Sequence, residues 1–131
     1  MVEVPASHRD LLDACQVVAL ATVGADGFPQ VSAVWFTHEA DGTVKMTLHP
    51  SRQKTKNLQR RPECSLFFLD PANPYRTLEI RARADLTPDP DYAYAAKLGA
   101  RYNADIRAMD KPGEYRFEAT FVPLKVNTYG N

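Results

Sequence analysis

Five cations fall within ten residues: Arg52, Lys54, Lys56, Arg60 and Arg61, with no acid among residues 52–61. The residue types there favour a helix, with Ser51 placed to cap its start and Pro62 to stop it. A helix start carries roughly half a positive charge, so a cation in the first turn is unfavourable by about 0.3–1 kcal/mol. Arg52 and Lys54 occupy that turn. A bound anion reverses the sign of both interactions. First-turn N–H groups, the Ser51 hydroxyl and the two cationic side chains can then converge on one phosphate. A solvated basic face is the alternative, and Arg60 and Arg61 suit a helix C-terminus in any case. Arg52, Lys56 and Arg60 recur every four residues and so share one face.

A second group of residues precedes the helix. In the run from Phe28 to Phe36, Gln30, Ser32, Val34 and Phe36 fall on one strand face, and Val31, Ala33 and Trp35 on the other. Small Ser32 and Ala33 leave room for a planar group to approach the backbone and hydrogen-bond there. Trp35, the only tryptophan, reads either as a core aromatic or as a wall beside such a group. No nucleophile–base pair and no paired catalytic carboxylates stand out. His8, His38 and His49 lack metal-ligand spacing. No metal and no catalytic side chain is therefore assigned.

These residues need a scaffold. Ser7 to Cys15 reads as a short helix with Ser7 as N-cap. Val17 to Gly24 is a buried strand. A Gly-containing turn at 25–27 returns the chain as Phe28 to Thr37, and an Asp41-Gly42 turn leads to a third strand, Thr43 to His49. After the basic helix, Glu63 to Leu69 is a strand and Asp70 to Tyr75 a loop. Thr77 to Leu86 alternates cleanly, with Leu78, Ile80, Ala82, Ala84 and Leu86 inward. Asp89-Pro90 starts a helix that runs to about Arg101. A helical turn follows at 105–109. Tyr115 to Phe121 gives a sixth strand, and Leu124 to Tyr129 a seventh after Pro123. Helices interrupt a hairpin-connected sheet and do not alternate with its strands. The expected fold is thus mainly β with helices: a six- to seven-stranded, mostly antiparallel barrel, one domain over residues 1–131.

The composition of the 131 residues, 44% hydrophobic and 24% charged, is that of a globular chain. Sixteen basic and sixteen acidic side chains cancel, which argues against nucleic acid or an anionic membrane as partner. That zero is uneven: residues 1–51 carry minus four, 52–61 plus five and 62–131 minus one. No apolar stretch approaches the roughly 20 residues of a membrane span, and no signal peptide is evident. Cys15 and Cys64 read as small buried hydrophobes in a reducing cytoplasm. Modest size makes oligomerisation a reasonable expectation.

Three runs together carry a resemblance: Val18-Ala-Leu-Ala-Thr22, Asp26-Gly-Phe-Pro-Gln-Val-Ser-Ala-Val-Trp-Phe36 and Ser51-Arg-Gln-Lys-Thr-Lys-Asn-Leu58. Over roughly residues 9 to 128 the chain resembles the pyridoxamine 5′-phosphate oxidase-like split β-barrel superfamily. Within it, the pattern resembles the actinobacterial branch that uses the deazaflavin coenzyme F-420. The resemblance implies a split barrel that forms a homodimer, with cofactor sites at the interface. It implies that Arg52 and Lys54 hold the cofactor's phosphate and that Thr55 and Asn57 add hydrogen bonds or shape that loop. Gln30, Ser32, Ala33, Val34 and Trp35 would line the ring system, and Tyr75 would border the ring from the other subunit. Lys56 stands where relatives often have Arg, and His49-Pro50 precedes the helix where relatives vary. The implied reaction is hydride transfer from reduced F-420 to an unsaturated or conjugated small molecule. Two other readings stay open: an FMN-binding flavoprotein, and a non-catalytic member that binds a cofactor or tetrapyrrole.

Overall fold

The alternation along residues 18–48 folds as two antiparallel hairpins at opposite edges of one sheet. In the computed structural model, which describes residues 1–131, β1 (Val18–Val23) pairs with β2 (Pro29–Val34). Gly27 turns between them at φ 86°, a conformation that a Cβ disfavours. β3 (Thr37–His38) pairs with β4 (Val44–Leu48), and β5 (Glu63–Leu69), β6 (Thr77–Asp89) and β7 (Arg116–Tyr129) complete one sheet. Its order is β2-β1-β5-β6-β7-β4-β3, antiparallel throughout. The two edge strands, β2 and β3, are consecutive in sequence and joined only by Trp35 and Phe36. That link holds Val34 and Thr37 within about 11 Å. The sheet must therefore curl until its edges nearly meet, which gives a mainly β split barrel.

The inward residues fill this barrel. Phe36, Met46, Leu66, Phe68, Ile80 and Phe121 are fully buried, and Phe36 meets Phe68 edge to face at 5.3 Å. Three helices accompany the sheet: α1 (Leu11–Ala14), α2 (Gln53–Arg60) and α3 (Ala93–Tyr102). A second buried cluster, Tyr92, Tyr94, Ala95, Leu98 and Ile106, packs with Trp35 and Tyr102 and seats α3 against β4, β6 and β7. Cys15 and Cys64 are buried and free. No helix is long and apolar enough to cross a membrane.

Several boundaries differ from expectation for identifiable reasons. The strand expected to run to Thr37 stops at Val34 because α3 claims the backbone of Phe36. Its N–H donates to the Tyr102 hydroxyl at 3.1 Å, and its carbonyl accepts from Tyr102 and Arg101. The two strands expected on either side of Pro123 are one, β7. The pairing steps from Arg81–Lys125 to Ala82–Pro123, so Leu124 bulges out of the ladder beside a residue with no N–H. α3 starts at Ala93, later than Pro90. Asp89 ends β6 and still caps the helix at a distance, its carboxylate accepting the N–H groups of Tyr94 (3.4 Å) and Ala95 (3.0 Å). α1 is shorter than expected, and the Ser7 hydroxyl contacts His8 Nδ1 rather than a helix N–H.

Candidate functional site

α2 leaves β4 through His49, Pro50 and Ser51. The Thr55 hydroxyl donates to the His49 carbonyl at 2.7 Å, tying the first turn of the helix to the end of the strand. Ser51 is not the N-cap. Arg52 holds that position with extended backbone and no side-chain cap, and the Ser51 hydroxyl turns to His49 Nδ1 instead. The N–H groups of Gln53 and Lys54 have no protein acceptor. Lys54 Nζ reaches across to β2 and donates to Ser32 Oγ at 3.1 Å. None of the five cations at 52–61 pairs with a carboxylate, although the acids elsewhere form seven ion pairs with Lys or Arg. Burial and the neighbouring Arg52 guanidinium push the Lys54 ammonium below its ordinary value. The corner thus gathers positive charge and free donors with no internal anion.

This corner opens onto a cavity of about 280 Å³. Ala33, Val34 and Trp35 form one side of it, Thr47, Leu48 and His49 a second, and Arg52 and Lys54 the cationic end. Leu98, Ile106, Met109 and Arg116 face them. Ala33 and Val34, the last two residues of β2, both reach the cavity. Trp35 stacks flat on Tyr102, with centroids 4.4 Å apart and planes 3° from parallel. The far wall depends on Gly99, where a Cβ would lie 2.3 Å from the Ala104 carbonyl oxygen. With no Cβ there, the chain can double back across α3 and bring Ile106 and Met109 over the cavity. Thr47 is among the residues that line this space, and its buried Oγ1 has no partner within the protein.

Of the ten expected site residues, Ala33, Val34, Trp35, Arg52 and Lys54 line this cavity, and Ser32 touches it through Lys54. Thr55 is fully buried and serves the helix start. Asn57, also buried, donates to Thr22 Oγ1 at 3.0 Å and receives Gln53 Nε2 at 2.8 Å. Gln30 joins that network at the Thr22 hydroxyl. Gln30 and Asn57 therefore dock α2 onto β1 and β2 and face a separate groove. Tyr75 lies exposed in the β5–β6 connection, away from the cavity lining of its own chain.

Thr47, Leu98, Ile106, Met109 and Arg116 escape the sequence reading. Alternation puts Thr47 on the outward face, and only the packing of α3 and the segment after it over β4 buries it. Spacing also hides the convergence of His49, Asp110 and Glu114, whose ligand atoms lie within 4.8 Å of one another. Asp110 there accepts two bonds from Arg116 (2.7 and 2.9 Å) and one from the Tyr92 hydroxyl (2.7 Å). Its lone pairs are engaged, and the cluster is an ion-pair network.

Residues 4–128 match the family described as Pyridoxamine 5′-phosphate oxidase. The chain belongs to this family. Among solved structures, an F-420 reductase is 34% identical, with 95% of this chain and 98% of that one covered and a TM-score of 0.82. A putative pyridoxamine 5′-phosphate oxidase from Listeria innocua is 22% identical, covering 90% and 91%, with a TM-score of 0.69. HutZ, the heme storage protein from Vibrio cholerae, is 18% identical, covering 98% and 96%, with a TM-score of 0.76. The last two share the fold with this member of the pyridoxamine 5′-phosphate oxidase family. A search of curated proteins found no match.

Proposed function

We propose that this chain is an F-420-dependent reductase that delivers hydride to an unsaturated or conjugated small molecule. The observation that carries the reading is the unpaired cationic corner at the end of an apolar cavity. Such a pocket suits a ligand with an anionic phosphate and a flat, largely apolar ring. Family membership supports an oxidoreductase of the flavin or deazaflavin type, and 34% identity to an F-420 reductase supports the deazaflavin.

The residues fit that group. Arg52, Lys54 and the N–H groups of Gln53 and Lys54 would hold the phosphate, and Thr47 Oγ1 would hydrogen-bond a polar edge of the ring. Lys56 and Arg60 would continue the cationic surface toward an acidic tail. Trp35, held by Tyr102, would orient the ring, and Ile106 with Met109 would exclude water. When bound, the cofactor supplies the hydride, and the protein contributes orientation, charge and dryness. The proposed assembly is a homodimer. The proposed compartment is the cytoplasm, in keeping with two free thiols.

Trp35 is the only tryptophan and lies in the cavity wall, so its fluorescence reports occupancy. Titration with F-420 and with FMN is expected to show tighter binding of F-420, and oxidation of the bound reduced form by an added conjugated acceptor. Tighter binding of FMN would replace the deazaflavin with a flavin. Tight F-420 binding with no acceptor reduced would make the protein a carrier.

A further inference from the structure

Arg116 lines the cavity on the wall that faces Ala33 and Trp35. It opens β7, opposite Asp89 at the end of β6. One edge of its guanidinium is spent on Asp110. Nε donates to one carboxylate oxygen at 2.7 Å and Nη2 to the other at 2.9 Å. The Tyr92 hydroxyl also donates to Asp110, at 2.7 Å. The Asp110 side chain is 5% exposed and that of Arg116 16%, so the pair is held almost dry. Such a fork fixes the plane of the guanidinium. Nη1 lies on the other edge of that plane and makes no hydrogen bond within the protein. It is not sealed in, so its two N–H groups open onto accessible space. The ionic groups gathered at this wall are Arg116, Asp110, Glu114 and His49. Two carboxylates outnumber the guanidinium when His49 is neutral and balance the cations when it is charged. The wall therefore offers donors without net positive charge, unlike the corner at Arg52 and Lys54.

We propose that Arg116 is a binding residue that donates through Nη1 to a carbonyl oxygen of the ring held in this cavity. This rests on the reading that the cavity takes a flat conjugated ring, with an anionic phosphate at Arg52 and Lys54. A carbonyl suits the far wall for three reasons. It is a neutral acceptor, so Asp110 and Glu114 do not repel it as they would a carboxylate. A charged guanidinium N–H is a stronger donor than a neutral one. The Asp110 fork has already ordered the side chain, so the bond costs little further entropy. A pure hydrocarbon in the same place strips water from Nη1 and returns nothing, which is unfavourable. Arg116 thus selects oxygen-bearing conjugated rings over rings of the same shape without the oxygen. Two rings in the proposed reaction carry this chemistry, that of the cofactor and that of the acceptor.

The probes are α-tetralone and tetralin, uncharged two-ring molecules that differ by one carbonyl. Each is titrated by calorimetry into the full-length protein and into Asp110→Asn combined with Arg116→Met. Removing both charges together strands no buried ion, and the new amide oxygen still accepts from Tyr92. The probes' own hydration cancels when the two proteins are compared. The preference for α-tetralone over tetralin is expected to fall about three- to tenfold in the variant, the loss of one hydrogen bond. The carbonyl carbon NMR resonance of bound α-tetralone is expected to move upfield with it, which a packing role would not produce. An unchanged preference, or no binding of α-tetralone by wild type, overturns the proposal. Arg116→Lys is the second variant should the double one fail to fold. Its ammonium is drawn to Asp110 and leaves the Nη1 position empty, so the same loss is expected and an unchanged preference again overturns the proposal. Lys54→Ala is expected to keep the preference. A loss there, with none at Arg116, places the carbonyl at the phosphate corner and overturns the proposal. F-420 titration of the Arg116 variants then names the source of the oxygen. Weaker binding assigns it to the cofactor ring, and unchanged binding beside a lost α-tetralone preference assigns it to the acceptor. Wild type that fails to bind F-420 ends the functional reading, and the tetralone result still decides the role of Arg116.

Discussion

Truncating Lys54 to alanine removes a half-buried ammonium that the chain leaves without a counter-ion. Each charge-assisted contact to a phosphate contributes about 1.5–3 kcal/mol. Lys54→Ala is therefore expected to weaken F-420 binding by roughly 10- to 150-fold. Its melting temperature should hold or rise slightly, because Arg52 loses a like-charged neighbour and the first turn of α2 loses a cation. A fall in stability with unchanged affinity would make Lys54 a structural residue. Thr47→Val tests the other end of the cavity. Valine replaces a buried, partnerless hydroxyl with a methyl group, so the free protein should be as stable or more so. Calorimetric titration should show binding weaker by about 0.5–1.5 kcal/mol, the net contribution of one hydrogen bond. Unchanged affinity would mean that Thr47 Oγ1 does not meet the ligand. Both residues were available to sequence reasoning, yet only one was legible. Lys54 announces itself by its charge at a helix start. Thr47 is an ordinary outward threonine until α3 and the segment after it pack over β4.

The elements explain the rest of that difference. Clean alternation in Thr77–Leu86 gives β6 directly, and the Gly turns give the two hairpin returns, because these signals are local, whereas the break between β2 and β3 depends on the distant α3 and is not legible. Asn57 is local only in appearance. It lies in the motif that carries the resemblance, but its side chain is spent on Thr22 and Gln53, joining α2 to β1. The site's opposite wall is harder still, since it rests on Gly99 allowing a close crossing and on a loop held by ion pairs. That loop gives a stability prediction. The Arg116 guanidinium, with the Tyr92 hydroxyl adding to it, holds the Asp110 carboxyl below the usual carboxylate range. A carboxyl lowered on folding stabilises above its unfolded value near 4, and that contribution fades as pH falls through the folded value. Asp110→Asn should accordingly lower stability by about 1–3 kcal/mol near neutral pH. The gap to wild type should narrow as pH drops toward about 3. Thermal unfolding of both proteins across that range checks it, and a gap independent of pH would mean that the Asp110 charge contributes nothing.

At the scale of the whole molecule, the outer face of the β2–β1–β5 sheet raises the question of assembly. Register places Ala19 between Ala33 and Phe67, and Ala21 between Val31 and Ser65. Val31 is 64% exposed, Phe67 44% and Leu69 48%, so this face offers apolar side chains to solvent over three adjacent strands. Contiguous exposed apolar surface marks association, and a net charge of zero leaves little long-range repulsion between copies. The basic helix does not upset this balance, because its charge is confined to one edge of the site. The proposed homodimer would pack through this face, and its disruption has a defined signature. Phe67→Asp combined with Val31→Asp places two carboxylates on the face while sparing the barrel interior. Sedimentation is expected to show two chains for the wild type and one for the double variant, with far-UV circular dichroism unchanged. A monomeric wild type at micromolar concentration would end the dimer proposal. The same variant also decides whether the cavity is complete in one chain. Tyr75 lies exposed and away from its own chain's cavity. If a partner's loop borders the ring, the monomer should bind F-420 more weakly than the dimer, and Tyr75→Ala should weaken binding only in the dimer. Equal affinity in monomer and dimer would make each cavity self-sufficient and Tyr75 an ordinary surface residue.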